Sequence, residues 1–284
     1  MVLALSSGTS TDLGRRPYQQ DDFLICHTFP NYPHMALFAV FDGHGSEGGK
    51  SSAFVKKVLP EVMCAIPYES FLRDPAQALK SIFSECHERL TGNQAIDTYM
   101  SGTTALVALV DTSTAKIYIA HVGDSKAILV QHVDNVWKGI QLTTDHTCET
   151  KPELDRVTTS GARVEQLYIN EQKEGPLRIF KGTLPYPGLV VTRSLGDAVA
   201  SRLGVVSEPE VICTQISQHD HFLVLGTDGV FDGLTIAEAV AIIKNHHKDP
   251  QKASEAITKE SLIGMDRNQM DDNTTNIVIS FNRP

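Results

Sequence analysis

The stretch Leu37-Phe38-Ala39-Val40-Phe41-Asp42-Gly43-His44-Gly45 decides how the rest of the chain is read. A short apolar run ends in a carboxylate, a glycine, a histidine and a second glycine. The first half of this pattern returns as Phe222-Leu223-Val224-Leu225-Gly226-Thr227-Asp228-Gly229, and the acidic pair Asp271-Asp272 stands just before the last apolar run, 277–281. Apolar runs this short and β-branched form buried strands. Each therefore delivers an acidic side chain to the rim of a packed sheet. Carboxylates converging from separate strands repel one another unless a cation lies between them. The pattern predicts a carboxylate-lined divalent-metal site that carries out hydrolysis.

Outward from this stretch, 23–28 and 35–41 are expected strands joined across Pro30, Asn31 and Pro33, and 2–6 is a first strand followed by a polar turn region. After Ser46 the period changes. Phe54, Val58 and Val62 recur every four residues, with Pro60 expected to kink or end that helix. Residues 75–91 predict a cleaner helix, with Leu79, Ile82, Phe83, Cys86 and Leu90 on one face and Asp74-Pro75 as its cap and first position. Strands at 103–110, 116–121 and 126–132, separated by turn-forming residues, predict an antiparallel meander and exclude a parallel dinucleotide-binding sheet. A helix at 150–160 precedes an irregular stretch at 165–190, whose Gly and Pro content marks a functional loop or lid. Strands at 211–214 and 221–226, helices at 235–247 and 250–264 and a closing strand at 275–281 complete the chain. The expected fold class is α+β: a central antiparallel β-sandwich flanked by helices on both faces, in one domain over 1–284.

Bulk properties narrow the function. The net charge of −9 argues against nucleic acid and anionic membrane surfaces as partners. Five scattered cysteines, odd in number and without a C-x-x-C pair, argue against a disulfide framework or zinc knuckle and for a reducing compartment. The first residues lack the basic and apolar regions of a signal peptide, and no apolar run approaches the roughly 18–20 residues that span a bilayer. The expectation is a cytoplasmic or nuclear monomer.

The candidate metal ligands are Asp21, Asp42, Asp145, Asp228 and Asp272, all hard oxygen donors. Such a set suits Mg²⁺ or Mn²⁺ rather than Zn²⁺ or Cu²⁺. Donors drawn from distant segments suit a two-metal hydrolytic site in which one aspartate, expected to be Asp42, bridges both ions. Gly43 allows its backbone carbonyl to approach a metal. His44 is placed to protonate a leaving-group oxygen, and Arg15 and Arg16 offer guanidinium forks to a phosphate. The His219-x-His221 pair and Asp124, in Gly123-Asp124-Ser125, are expected to be inert, the latter closing a hairpin turn.

Further motifs follow in order: Ser101-Gly102-Thr103-Thr104-Ala105, Val122-Gly123-Asp124-Ser125, Thr144-Asp145-His146, Val191-Thr192-Arg193-Ser194-Leu195-Gly196-Asp197, Gly226-Thr227-Asp228-Gly229, Asp232 and Asp272-Asn273. With Phe41-Asp42-Gly43-His44-Gly45 at their head, they resemble the metal-dependent protein serine/threonine phosphatases of the 2C type, from Gly14 to Phe281. The resemblance implies a cleft at one end of the sandwich holding two Mn²⁺ or Mg²⁺ ions. There a metal-bridging water attacks phosphoserine or phosphothreonine in protein substrates directly. It implies Asp42 as the bridging ligand, the Gly43 carbonyl on one ion, and Asp228 and Asp272 on the other. Asp145 with Asp228 corresponds to a third, weaker ion site, Arg16 to the phosphate-binding arginine and His44 to the general acid. A flap around 165–205 is expected to bear on substrate choice.

One departure stands out. Gln20 replaces the glutamate that many members carry before the aspartate matched here by Asp21; matching Asp22 instead would put Pro17 where the arginine belongs. Gln20 is the one feature favouring a pseudophosphatase scaffold of the same fold. A phosphomonoesterase for small metabolites is the other alternative.

Overall fold

The computed structural model describes residues 3–169 and 172–282. In chain order it holds strands β1 (Ala4–Asp12), β2 (Asp21–Cys26) and β3 (Met35–His44), then helices α1 (Gly48–Ala65), α2 (Tyr68–Arg73) and α3 (Pro75–Thr91). Strands β4 (Gly102–Thr103), β5 (Ala105–Asp111), β6 (Lys116–Val122), β7 (Lys126–Val133) and β8 (Val136–Gln141) lead to helix α4 (Lys151–Thr159). Then come β9 (Ala162–Ile169), β10 (Gln172–Lys181), β11 (Pro187–Leu189), β12 (Leu195–Gly196) and helix α5 (Ala198–Ser201). The last part holds β13 (Glu210–Gln215), β14 (Asp220–Gly226), α6 (Asp228–Gly233), α7 (Ile236–Asn245), α8 (Pro250–Arg267) and β15 (Thr274–Asn282).

One large sheet has the order β1-β15-β14-β7-β8; the other runs β12-β4-β3-β5-β6-β13 with β2 also paired to β3. Side-chain alternation along β3 shows how they stack. Phe38 and Val40 join Leu106, Leu129, Leu225 and Ile277 between the two sheets. Leu37, Ala39 and Phe41 point the other way, against Val55 and Leu59 of α1 and Leu79 and Ile82 of α3. On the far side, Ile128, Val224 and Val278 pack under Val240 of α7 and Ile257 of α8. Both faces of the central strands are thus covered, which is why they are apolar throughout rather than alternating. Burying each large apolar side chain contributes about 1.5–3 kcal/mol. The architecture is the four-layer α-β-β-α arrangement expected for the fold class.

Several local expectations are corrected. The first strand runs through its Gly/Ser/Thr segment to Asp12, because pairing with β15 supplies backbone partners that local sequence does not announce. Helix α1 does not end at Pro60; burial of Val58, Leu59, Val62 and Met63 on both sides of it outweighs a local cost of about 3 kcal/mol. The three-strand meander is not formed. β6 pairs with β5 and β13, whereas β7 crosses into the other sheet beside β14 and β8. Strand β8 was not expected; Asp134 and Asn135, both at positive φ, form the two-residue turn that folds it back on β7. The stretch expected to be irregular is a three-stranded sheet of order β11-β10-β9. Its inner side chains rest on a small core of Val157, Ile179, Leu203 and Val205. Among the described residues no helix is long and apolar enough to cross a membrane.

Candidate active site

Four segments bring acidic side chains to one end of the sandwich. Asp42 lies near the end of β3, Asp124 lies in the β6–β7 turn, Asp228 opens α6 one residue after β14, and Asp272 precedes β15. Two glycines permit this convergence. A Cβ on Gly43 would collide with the Gly48 carbonyl at the start of α1, and a Cβ on Gly229 would collide with the Asn273 carbonyl. The second contact presses the first turn of α6 against the residue following Asp272.

Carboxylate oxygens of Asp42, Asp124 and Asp228 lie within 4.8 Å of one another. Asp124, expected to serve only a hairpin, is therefore a member of the cluster; the turn it closes joins the two sheets at the mouth of the cleft. Desolvation, and after it the Asp228 charge, pushes Asp42 well above the usual carboxylate range and Asp124 and Asp232 up to about 7. The same two causes raise Asp272 to about 6, with Arg16 opposing them. These groups cannot all ionise unless positive charge is added among them. The donor set is all oxygen, from side chains held on rigid elements, and it fits hard divalent cations.

The other expected residues take distinct places. Asp21 stands opposite Asp42 in the β2–β3 ladder but is buried away from the cleft, its carboxylate accepting from Thr227 Oγ1 at 2.9 Å. Burial and Asp228 raise it to about 8. Asp22 turns to the opposite face and accepts from Lys56 Nζ at 2.7 Å. Asp145 lines the cleft, where Lys126 Nζ donates to it at 2.5 Å. Arg16 donates through Nη2 to Asp272 and through Nε to the Asp271 carbonyl, each at 2.8 Å. Three of its five N–H donors are not engaged by these two bonds. The Gln20 amide donates to the Gly45 carbonyl at 2.7 Å, tying two loops of the site together.

His44 Nε2 donates to Asp197 at 2.6 Å, and Asp197 also accepts from Ser194 Oγ at 2.5 Å. Burial pulls the imidazole pKa down, but the charge and hydrogen bond of Asp197 more than offset it, so the net direction is up. Asp197 has φ 52°, a left-handed conformation that turns its side chain back toward His44. The sequence reading saw Asp197 only as the end of a motif.

These residues line a cleft of about 820 Å³. Leu177 and Arg178 of β10, with Pro187 to Val191, wall it from the side of the small sheet. Arg178 was not anticipated; its Nη1 donates to the Gly188 carbonyl at 2.8 Å. Nine carboxylates face three basic side chains (Arg16, Lys126 and Arg178) across this cleft, so its own field repels a phosphate. A second group, His121, His146 and Glu210, is less apt for a metal. The two imidazole rings are stacked 4.3 Å apart and tilted by only 12°, so their in-plane lone pairs do not converge on one point.

The chain as a whole is similar to known proteins. A family model described as Protein phosphatase 2C matches residues 12–270. The relative named "Probable protein phosphatase 2C 35" of Arabidopsis thaliana is 35% identical over 280 residues, 93% of this chain and 79% of that protein. "Protein phosphatase 1K, mitochondrial" of Xenopus laevis is 31% identical over 96% of this chain and 67% of its own length. Among solved structures, serine-threonine phosphatase 2C from Toxoplasma gondii superposes with TM-score 0.83 at 20% identity, covering 98% of this chain and 95% of that one. With a family match over most of its length and a relative at 35% identity, the chain belongs to the protein phosphatase 2C family.

Proposed function

We propose that this chain is a metal-dependent protein serine/threonine phosphatase working as a single catalytic unit, with the sheet β9–β11 as its flap. The observation that carries the reading is the charge of the cleft. It is lined by nine carboxylates, yet it contains an arginine braced to receive an anion. Phosphate can enter such a site only with compensating cations, and the oxygen donors suit them.

Asp42, Asp228 and Asp272, with Asp124 and the Gly43 carbonyl beside them, would hold two Mg²⁺ or Mn²⁺ ions, with Asp145 beside a third. Bound there, such ions supply water acidified enough to attack phosphorus and positive charge against the phosphoryl oxygens. Arg16 is locked along one edge by Asp272 and the Asp271 carbonyl, so its remaining donors meet the phosphate without reorganising. His44, with Nε2 engaged by Asp197, presents Nδ1 as the nitrogen that hands a proton to the departing seryl or threonyl oxygen. No cysteine is among the residues that line the cleft, which supports one-step hydrolysis over a thiol-phosphate route. The Gln20 amide acts as a structural tie in place of a ligand.

The net charge argues against nucleic acids as substrates, and the family relatives, named protein phosphatases, favour phosphoproteins. The test is hydrolysis of a phosphothreonine peptide with Mg²⁺, with Mn²⁺ and with EDTA. Turnover is expected only with added metal, and Asp228→Ala is expected to abolish it. Full activity in that variant would refute the reading.

A further inference from the structure

The adjacent pairs Arg15-Arg16 and Asp271-Asp272 straddle two hollows. Arg16 and Asp272 lie in the cleft, joined at 2.8 Å. Arg15 lines a second hollow of about 380 Å³, walled by Leu262, Ile263 and Asp266 of α8 and by Asp12. Met270 and Asp271 line both, so the hollow adjoins the cleft on the side of Arg16 and Asp272.

Its lining is apolar at the centre and acidic at the rim. Ile263 and Met270 are 44% and 41% exposed, above the buried Met265. Three aspartates (12, 266 and 271) surround them, and Arg15 among these is already engaged. It donates to Asp266 at 2.8 Å and to the Met270 carbonyl at 3.1 Å, and lies 3.7 Å from Asp271. The rim keeps a net negative charge. The volume is near the lower end of the range of about 300–1,000 Å³ that binds ligands, enough for one or two side chains.

We propose that this hollow receives the segment flanking the phosphorylated residue of a protein substrate, taking a large apolar side chain with a Lys or Arg beside it. The proposal rests on the phosphatase reading above and names the substrate class for that site. The shared wall of Met270 and Asp271 sets the place, exposed Ile263 and Met270 select the apolar side chain, and the aspartate rim selects its basic neighbour.

The experiment is hydrolysis of a phosphothreonine peptide library with randomised flanking positions, alongside p-nitrophenyl phosphate, which has no flanks. A preference for Leu, Met or Phe next to Lys or Arg at a fixed distance from the phosphothreonine is expected. The preferred peptide should exceed its Ala/Glu counterpart about tenfold in kcat/KM. Ile263→Asp should remove most of that ratio, Ile263→Leu should keep it, and neither should change p-nitrophenyl phosphate turnover. Turnover of the small substrate with no flanking preference, or a preference untouched by Ile263→Asp, overturns the proposal. Loss of p-nitrophenyl phosphate turnover in Ile263→Asp overturns it too, since the residue would then serve the cleft itself. Absence of any turnover by the unmodified chain refutes the phosphatase reading, and the hollow's role falls with it.

Discussion

Replacing Asp197 by Asn isolates what the His44–Asp197 pair does. Asparagine keeps the size and tolerates the left-handed backbone at φ 52°, so the variant removes a charge and little else. Asp197 is only 1% exposed and its bond to His44 is 2.6 Å, short and screened from water. Hydrogen bonds to charged groups contribute about 1.5–3 kcal/mol and neutral ones about 1 kcal/mol. The change should therefore weaken the hold on His44 by about 0.5–2 kcal/mol, roughly 2- to 30-fold in rate where the proton matters. The assay compares kcat on a phosphothreonine peptide with kcat on p-nitrophenyl phosphate. The first needs its alkoxide protonated as it leaves; the second releases a stable phenolate. The peptide rate should fall by that factor and the nitrophenyl rate by much less, with the thermal midpoint nearly unchanged. Equal losses on both substrates would refute a proton-delivery role and leave Asp197 a structural residue.

Three further outcomes are expected. Lys126→Met frees Asp145 from its 2.5 Å partner and adds net negative charge to the cleft, so activation by Mn²⁺ should shift to lower metal concentration; a shift to higher concentration would contradict the reading of that pair. Phe38→Ala opens a cavity between the sheets at a fully buried position and should cost about 3–5 kcal/mol in urea unfolding, whereas a loss below about 1 kcal/mol would mean the inter-sheet core is not packed as described. Burial, with Arg193 adding to it, lowers His121 to about 4; the unfolded chain takes its proton near pH 6.5 and the folded chain does not, so stability conferred at neutral pH is lost as pH falls from 6.5 toward 4. Because the raised aspartates and the buried His146 titrate over the same range, the comparison is between the chain and His121→Gln: their stability difference should shift by the order of 3 kcal/mol from pH 6.5 to 4, and a constant difference would place the proton uptake elsewhere.

The sandwich was legible because both faces of β3 and β14 are covered, which leaves unbroken apolar runs ending in acidic residues. Which sheet a strand joins was not legible. β6 and β7 are equally apolar and separated by one tight turn, and nothing in their residue types says that the chain changes layer there. Asp124 was missed for the same reason, since its role comes from where that crossing lies. The small sheet hid behind Gly175, Pro176, Pro185 and Pro187, whose breaker chemistry outweighed a weak alternation in strands that stay half exposed. Asp42, His44, Asp228 and Asp272, which line one cleft with Arg16, drew attention in the sequence because each stands beside an apolar run or a glycine. Asp197 gave no such signal, because its partner is 153 positions away in the chain.

The clustered acids do not all hang from the same layer. Asp42 belongs to one leaf of the sandwich, while Asp228 and Asp272 hang from the other. Left bare, their like charges would prise the mouth of the molecule open; a cation held between them would rivet it shut. A ligand present at a hundredfold its dissociation constant adds about 2.7 kcal/mol to the folded state. Starving this chain of divalent ions should therefore loosen its scaffold as well as silence its chemistry, because on the proposed reading one set of side chains is both catalyst and clasp.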